Sequence, residues 1–408
     1  MAEPAKLELL TRTPGDPGFL IHEIHSSQAY LQYRPLRLSE GSWEITPQPP
    51  SPDGARTYIL KNVTRDRYLL LNDKEFFLWE FFDGGHSLEE IARSFHVAFG
   101  AFDVSAIRQL LAKMHQAGLL VEPEQPALRR SLTQRKTHWS TRLLHAFAHG
   151  CKRISFTLPN ADRVSSAVHR YGGFLLFYPI SFCLTLLLAL LAAIAALQLA
   201  PRAVELTRIL SNAPLLSTTV MLGAFLAASM THVFVHALAC KAYGRRVREI
   251  GFFFLQGVLP TFYADVTDIF MSTRRARVVV DLAGPLVEVV LGSLAFIGAY
   301  ASEPGFGQAL GFATGVLLWE GALINLYPFS FLELDGYHIV ADFLALPTLR
   351  QQALALAPTL PRRLLSPRSI QRTEWIQVGY LVLCFVSVVV YVILHLDAIA
   401  TILPAWKR

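Results

Sequence analysis

The sequence predicts a mainly α-helical, polytopic membrane protein that carries a small winged-helix-like α+β domain in its N-terminal third. Three observations carry this reading. Of 408 residues, 52% are apolar and only 17% are charged, and the long uncharged runs all lie after residue 170. Those runs fall at about 172–200, 214–241, 278–302, 307–329 and 375–403. Each is close to the roughly 20 residues that cross the hydrocarbon as a helix. Upstream, short strand-like and helix-like patterns alternate across residues 57–121 with turn signals between them.

Composition excludes several classes. The formal charge of +6 is spread over segments that flank the apolar runs, which fits membrane topology rather than nucleic-acid binding. Cys151, Cys183, Cys240 and Cys384 are scattered without a CxxC pair, so neither a disulfide frame nor a cysteine-ligated metal is expected. The start, MAEPAKLELL, lacks a basic flank leading into an apolar core, so no cleavable signal peptide is expected there.

Residues 1–54 read as an N-terminal extension that ends in the loop PQPPSPDG. TYILKNV and RYLLL then form two strands around the polar turn TRD. Asn72 or Asp73 caps an aromatic helix that stops at Asp83-Gly84-Gly85. Ser87 and Glu90 have the spacing of a capping box, and Leu88, Ile91, Ala92 and Phe95 share one face of the helix they open. A third helix turns Ile107, Leu110, Leu111 and Met114 inward and is stopped by Gly118. Residues 124–171 form a basic connector, read as an amphipathic helix on anionic headgroups; its His145 and His149 have no carboxylate nearby in the sequence. The membrane domain is placed at 172–408. Within it, IGFFFLQGVLPTFY is broken by Gly257 and Pro260 and reads as a re-entrant or interfacial hairpin.

Orientation follows from basic residues. The connector, KAYGRRVRE, STRRAR and the stretch 349–372 are rich in arginine and lysine. The two opposite loops, 201–213 and 302–308, hold only Arg202 and Arg208. Five spans therefore place the N-terminal domain and every basic loop on the cytoplasmic side of a bacterial-type inner membrane.

The chemistry is concentrated in THVFVHALACKAYG. His232 and His236 stand four apart inside an apolar run, so one helix face presents both imidazoles. Histidine inside a span is costly unless paired or liganded. Zinc takes three protein ligands and keeps a further position open in catalytic sites. Asp335 in FLELDGYH lies at the cytoplasmic end of its segment and is the candidate third ligand, with Gly336 allowing a sharp turn beside it. Two other roles stay open on these residues alone: a polar contact between helices for the histidines and a helix cap for Asp335.

Two resemblances follow from these motifs. The order strand, turn, strand, LND, aromatic helix, DGGHSLEEIARSF and QAGLL resembles the PqqD-like domain over about residues 55–123. That resemblance implies a winged-helix module that grips a peptide along a strand edge. The series HVFVHALACKAYGRRVREIGFFF, LPTFYADVTD, AGPLVE and NLYPFSFLELDGYHIVADFLALPTLR resembles the site-2 protease family of intramembrane zinc metallopeptidases, in the branch fused to a PqqD-like domain. It implies zinc held by His232, His236 and Asp335, and a substrate or oxyanion role for Asn325. Asp265, Asp268, Gly284, Pro285 and Glu288 match further recurrent positions of that family.

The departure from the family pattern lies at Val233, where the HExxH glutamate is expected. That glutamate takes a proton from the attacking water and delivers it to the leaving amine. Valine can do neither, and positioned acid–base catalysis is worth about 10²–10⁴-fold. Glu288, Glu320 and Glu249 are the carboxylates weighed as substitutes. Three functions compete. The chain is a family member that binds a peptide or membrane-protein segment without efficient cleavage, serving a peptide-export or peptide-modification system. Or it is a working zinc peptidase with an unconventional base. Or it is an export component whose cavity is a peptide conduit.

Overall fold

The computed structural model describes residues 8–11, 20–23, 31–100, 104–121, 156–255, 259–360 and 371–394. His145, His149, Cys151 and the C-terminal AWKR lie outside the described residues. The chain divides into two units, one of residues 1–50 with 54–138, the other of 51–53 with 139–408.

In the first unit, β1 (Glu8–Thr11) and β2 (Leu20–Glu23) form an antiparallel pair. A separate meander joins β3 (Trp43–Pro47), β4 (Thr57–Asn62) and β5 (Arg67–Asn72), with β4 in the centre. The register pairs Ile45 with Leu60 and Leu60 with Leu69. Strand β3 belongs to the segment read from the sequence as an extension. Its proline-rich end hides the strand pattern, yet Trp43 packs edge-on against Trp79 at 5.6 Å between ring centroids.

Three helices complete the unit: α1 (Asp73–Glu80), α2 (Leu88–Phe99) and α3 (Val104–Ala117). Both predicted starts are capping boxes. Asn72 and Glu75 exchange side-chain and backbone hydrogen bonds, as do Ser87 and Glu90. The apolar stripes of α2 and α3 meet Trp79, Phe82, Leu60 and Leu71 in one core.

Buried Asn62 ties the end of α3 to the β4–β5 turn. Its Nδ2 donates to the carbonyls of Ala117 (3.0 Å) and Gly118 (2.7 Å), and its Oδ1 accepts from the N–H groups of Thr64 (3.0 Å) and Arg65 (2.9 Å). Every polar valence of that buried amide is filled.

The second unit is mainly helical. Strand β6 (Phe156–Thr157) precedes α4 (Ala161–Arg170), and a 3₁₀ turn (Gly173–Phe177) leads into α5 (Pro179–Leu199). There follow α6 (Ala203–Ser211) and α7 (Pro214–Ala242). Strands β7 (Ile250–Leu255) and β8 (Leu259–Ala264) pair antiparallel, with β6 on the far edge of β7. The broken apolar run is therefore an extended hairpin, and Pro260 sits on its edge strand, where a missing N–H is tolerated. Next come α8 (Arg274–Ala301), α9 (Phe306–Leu326), α10 (Asp335–Leu344), α11 (Leu349–Leu356) and α12 (Arg372–Leu394).

Among the described residues, five helices are long and apolar enough to cross a membrane, with α5 and α6 counting as one continuous stretch. Helix α8 is the central one: it packs on α5, α7, α9 and α10. Its contact with α9 is close because small residues face large rings. A Cβ on Gly292 would come within 2.5 Å of Trp319, and one on Gly315 within 2.7 Å of Phe296. Trp319 Nε1 donates to the Val289 carbonyl at 3.1 Å, which fixes the register of the two helices.

Replacing Asn62 by alanine strands four backbone groups in the first core. The Asn62→Ala chain should lose about 2–4 kcal/mol of stability in that unit. Urea titration followed by tryptophan fluorescence, in the full chain, reads the shift.

Candidate metal centre

Helix α7 carries His232 and His236 one turn apart on a single face, as the spacing predicts. Their rings lie 4.7 Å apart, centroid to centroid, and the two Nε2 atoms are separated by 2.9 Å. Asp335 comes from the first turn of α10. One of its carboxylate oxygens lies 3.3 Å from His232 Nε2 and the other 3.5 Å from His236 Nε2. All three side chains are largely removed from solvent, at 12%, 12% and 18% exposure. Among the described residues they are the group of three whose donor atoms converge within 4.8 Å.

The outer ring nitrogens fix how these imidazoles present themselves. His236 Nδ1 lies 2.6 Å from the Val280 carbonyl, which can only accept, so the proton sits on Nδ1. His232 Nδ1 lies 2.9 Å from Glu288 Oε1, in ion-pair range though off the N–H axis of a hydrogen bond. A proton on Nδ1 suits that carboxylate. In the neutral rings both Nε2 atoms are then bare. Two lone pairs and a carboxylate face one another across about 3 Å, and Asp335 Oδ2 has no hydrogen-bond partner among the described residues.

Such an arrangement repels itself unless a positive charge lies within it. Either a proton turns one imidazole into imidazolium or a cation occupies the centre. The donor set, two imidazoles and one carboxylate, is one that zinc accepts. A tetrahedral zinc with bonds of about 2.0–2.1 Å holds its donors roughly 3.3 Å apart, close to the spacings here.

Helix α8 makes room for that centre. A Cβ on Gly284 would sit 2.3 Å from His236 Nε2 and 2.5 Å from His232 Nε2, in the space the two nitrogens share. Glycine is the only residue that leaves this space open. Glu288, one turn further along α8 on the same face, engages His232. The AGPLVE motif thus supplies a gap and an orienting carboxylate in a single turn.

Asp335 is held from several directions. A Cβ on Gly336 would lie 2.1 Å from the Leu326 carbonyl, so only glycine lets the start of α10 lie against the end of α9. Arg277, 4% exposed, pairs with Asp342 at 2.7 Å and locks α10 to α8. The buried Tyr337 hydroxyl accepts from the Arg350 N–H at 3.1 Å, and Tyr380 donates to the Ser330 carbonyl at 2.6 Å.

The remaining residues singled out in the sequence fall as follows. Asn325 Nδ2 donates to Glu288 Oε2 at 3.2 Å, so it acts on the carboxylate that orients His232. Val233, 8% exposed, lies in an apolar cluster with Val280, Ala283 and Ile269. His338 stands edge-on to Tyr337 at 5.2 Å, with no hydrogen bond to Asp335. Glu249 accepts from the Tyr263 hydroxyl at 3.0 Å. Asp265 pairs with Arg248 at 3.0 Å, and buried Asp268 accepts from the Arg246 N–H at 3.0 Å, so both brace the segment around the hairpin. The orienting role of Glu288 escaped sequence reasoning. Its one signal was the placement of Gly284 and Glu288 four apart beside an HxxxH helix.

Comparison with known proteins gives one related chain. A Bacillus subtilis (strain 168) protein named "Putative peptide zinc metalloprotease protein YydH" is 29% identical over 117 residues. The match covers 28% of this chain and 44% of that protein, so this chain spans less than half of its relative's length. No protein-family profile matches the chain, and no solved structure matches it. The likeness, with the five apolar helices, supports a membrane metallopeptidase-like protein.

The space at Gly284 gives a sharp test of the centre. Incubated with zinc, the unaltered chain should take up about one ion per molecule and purified Gly284→Ala protein should take up none. Metal analysis after dialysis measures this, with circular dichroism as the check on folding.

Proposed function

We propose that this chain is a site-2-protease-like membrane protein in which His232, His236 and Asp335 hold zinc, and that it binds peptide or membrane-protein segments without cleaving them efficiently. The observation that carries the proposal is the inward facing of three metal-ligating atoms beside a buried valine. The bare Nε2 atoms and the orphaned Asp335 oxygen fit a divalent cation. Zinc bound there supplies Lewis acidity to a peptide carbonyl. Glu288 holds the His232 tautomer, the Val280 carbonyl holds that of His236, and Asn325 steadies Glu288.

Neither Glu288 nor Glu249, two of the carboxylates weighed as substitutes, is placed to take over the proton transfer that Val233 cannot perform. Glu288 faces Nδ1 of His232, on the opposite side of the ring from the converging nitrogens, and is committed to orientation. Glu249 is engaged with Tyr263. What remains is a polarising centre whose usual proton shuttle is replaced by valine.

The first unit supports the same reading. Three strands and three helices around one core suit the PqqD-like, peptide-gripping module that the motifs resemble. The basic loops support a cytoplasmic assignment, at an inner membrane, for that unit and for the metal centre. A peptide-export or peptide-modification system is the partner this arrangement serves.

Restoring the glutamate tests the proposal. Wild type and Val233→Glu should both retain zinc. Cleavage of a panel of membrane-segment peptides should be at least about 10²-fold faster in the variant. Chelator-sensitive cleavage by the wild type that disappears in His232→Ala would instead establish a working peptidase with another base. Absence of zinc from both proteins, with full function after Asp335→Ala, would point to a peptide conduit.

A further inference from the structure

The cytoplasmic face of the second unit, as the charge pattern assigns it, carries a cleft that the metal centre does not use. It has a volume of about 490 Å³ and lies between α4, the 3₁₀ turn and the end of α7, where Ser166, His169, Arg170, Phe174, Lys241 and Gly244 line it. Its floor is rigid. Asp162 accepts from Lys241 and, at 2.8 Å, from the Val247 N–H, which pins α4 to the end of α7. Burial opposes the charge on Asp162, yet these two donors outweigh it and keep the carboxyl below its ordinary value. Ala161 and Ser165 turn inward on the same helix. Arg170 is different: it is exposed and has no carboxylate partner among the described residues.

The two sides of the cleft differ in character. Exposed Arg170, with His169 beside it, makes one side basic, while the Lys241 charge is met by Asp162. The other side begins at Phe174 and continues as an exposed apolar run, with Leu175 at 56%, Leu176 at 53%, Tyr178 at 52% and Ile180 at 68% exposure. That run leads directly into the apolar helix α5. An arginine set beside an apolar wall, at the start of a membrane span and on the basic side, is complementary to an amphiphile with an anionic head.

We propose that this cleft binds the phosphate of an anionic glycerophospholipid, with Arg170 at the head and the acyl chain along Phe174 and the start of α5. A free phosphate would use the same arginine but would gain nothing from the apolar wall. The binding is independent of zinc. It anchors the α4–α7 junction, and so the inward end of the helix that carries His232 and His236, to the inner leaflet.

Native mass spectrometry of the full chain, released from detergent after exposure to equal amounts of phosphatidylglycerol and phosphatidylcholine, tests this. The wild type should retain phosphatidylglycerol preferentially. Arg170→Gln should weaken that retention about fivefold. Arg163→Gln removes an exposed arginine of the same helix that does not line the cleft, and it should leave retention unchanged. Equal retention of the two lipids, or equal losses in the two variants, would overturn the proposal in favour of general surface charge. Displacement of the lipid by millimolar inorganic phosphate would overturn it in favour of a free-phosphate site.

Discussion

Two imidazole nitrogens 2.9 Å apart within an apolar helix bundle need a positive charge between them, a proton or a cation. The α8 backbone and the Glu288 carboxylate occupy their outer nitrogens, and this turns the inner ones towards each other and towards Asp335. Much of the second unit serves this enforced convergence. Gly284 leaves the central space open, Gly336 lets α10 reach it, and the Arg277–Asp342 pair keeps α10 there.

Helix α8 is the organiser. Pro285 takes one backbone donor out of its ladder within the site, one residue after the glycine that faces the histidines. Further along, its Gly292 accepts the Trp319 ring of α9 and its own Phe296 ring sits on Gly315 of α9, so the two helices lie tight together and α9 presents Asn325 to Glu288. A short sequence motif therefore does three jobs: it clears space, it orients a ligand and it fixes the neighbouring helix.

The fold class and the histidine pair were legible because both depend on local periodicity. Apolar runs near twenty residues announce helices, and a spacing of four announces a shared face. Asp335 was legible through its motif, since no periodic signal links α10 to α7. The Glu288 contact was not, because it depends on the crossing of two helices far apart in the chain, and such crossings are set by the packing of small residues. Asn325 shows the same limit: the motif singled it out, but only the coordinates show that it bonds Glu288. Strand β3 was hidden by the prolines that follow it, although Trp43 had a buried aromatic partner waiting in Trp79.

Zinc-edge X-ray absorption of the purified chain measures the central claim most directly. The account predicts bound zinc with only nitrogen and oxygen neighbours at about 2.0–2.1 Å and the multiple-scattering pattern of two imidazoles. A spectrum showing sulfur neighbours near about 2.3 Å, a single imidazole, or no zinc in a folded protein would contradict it.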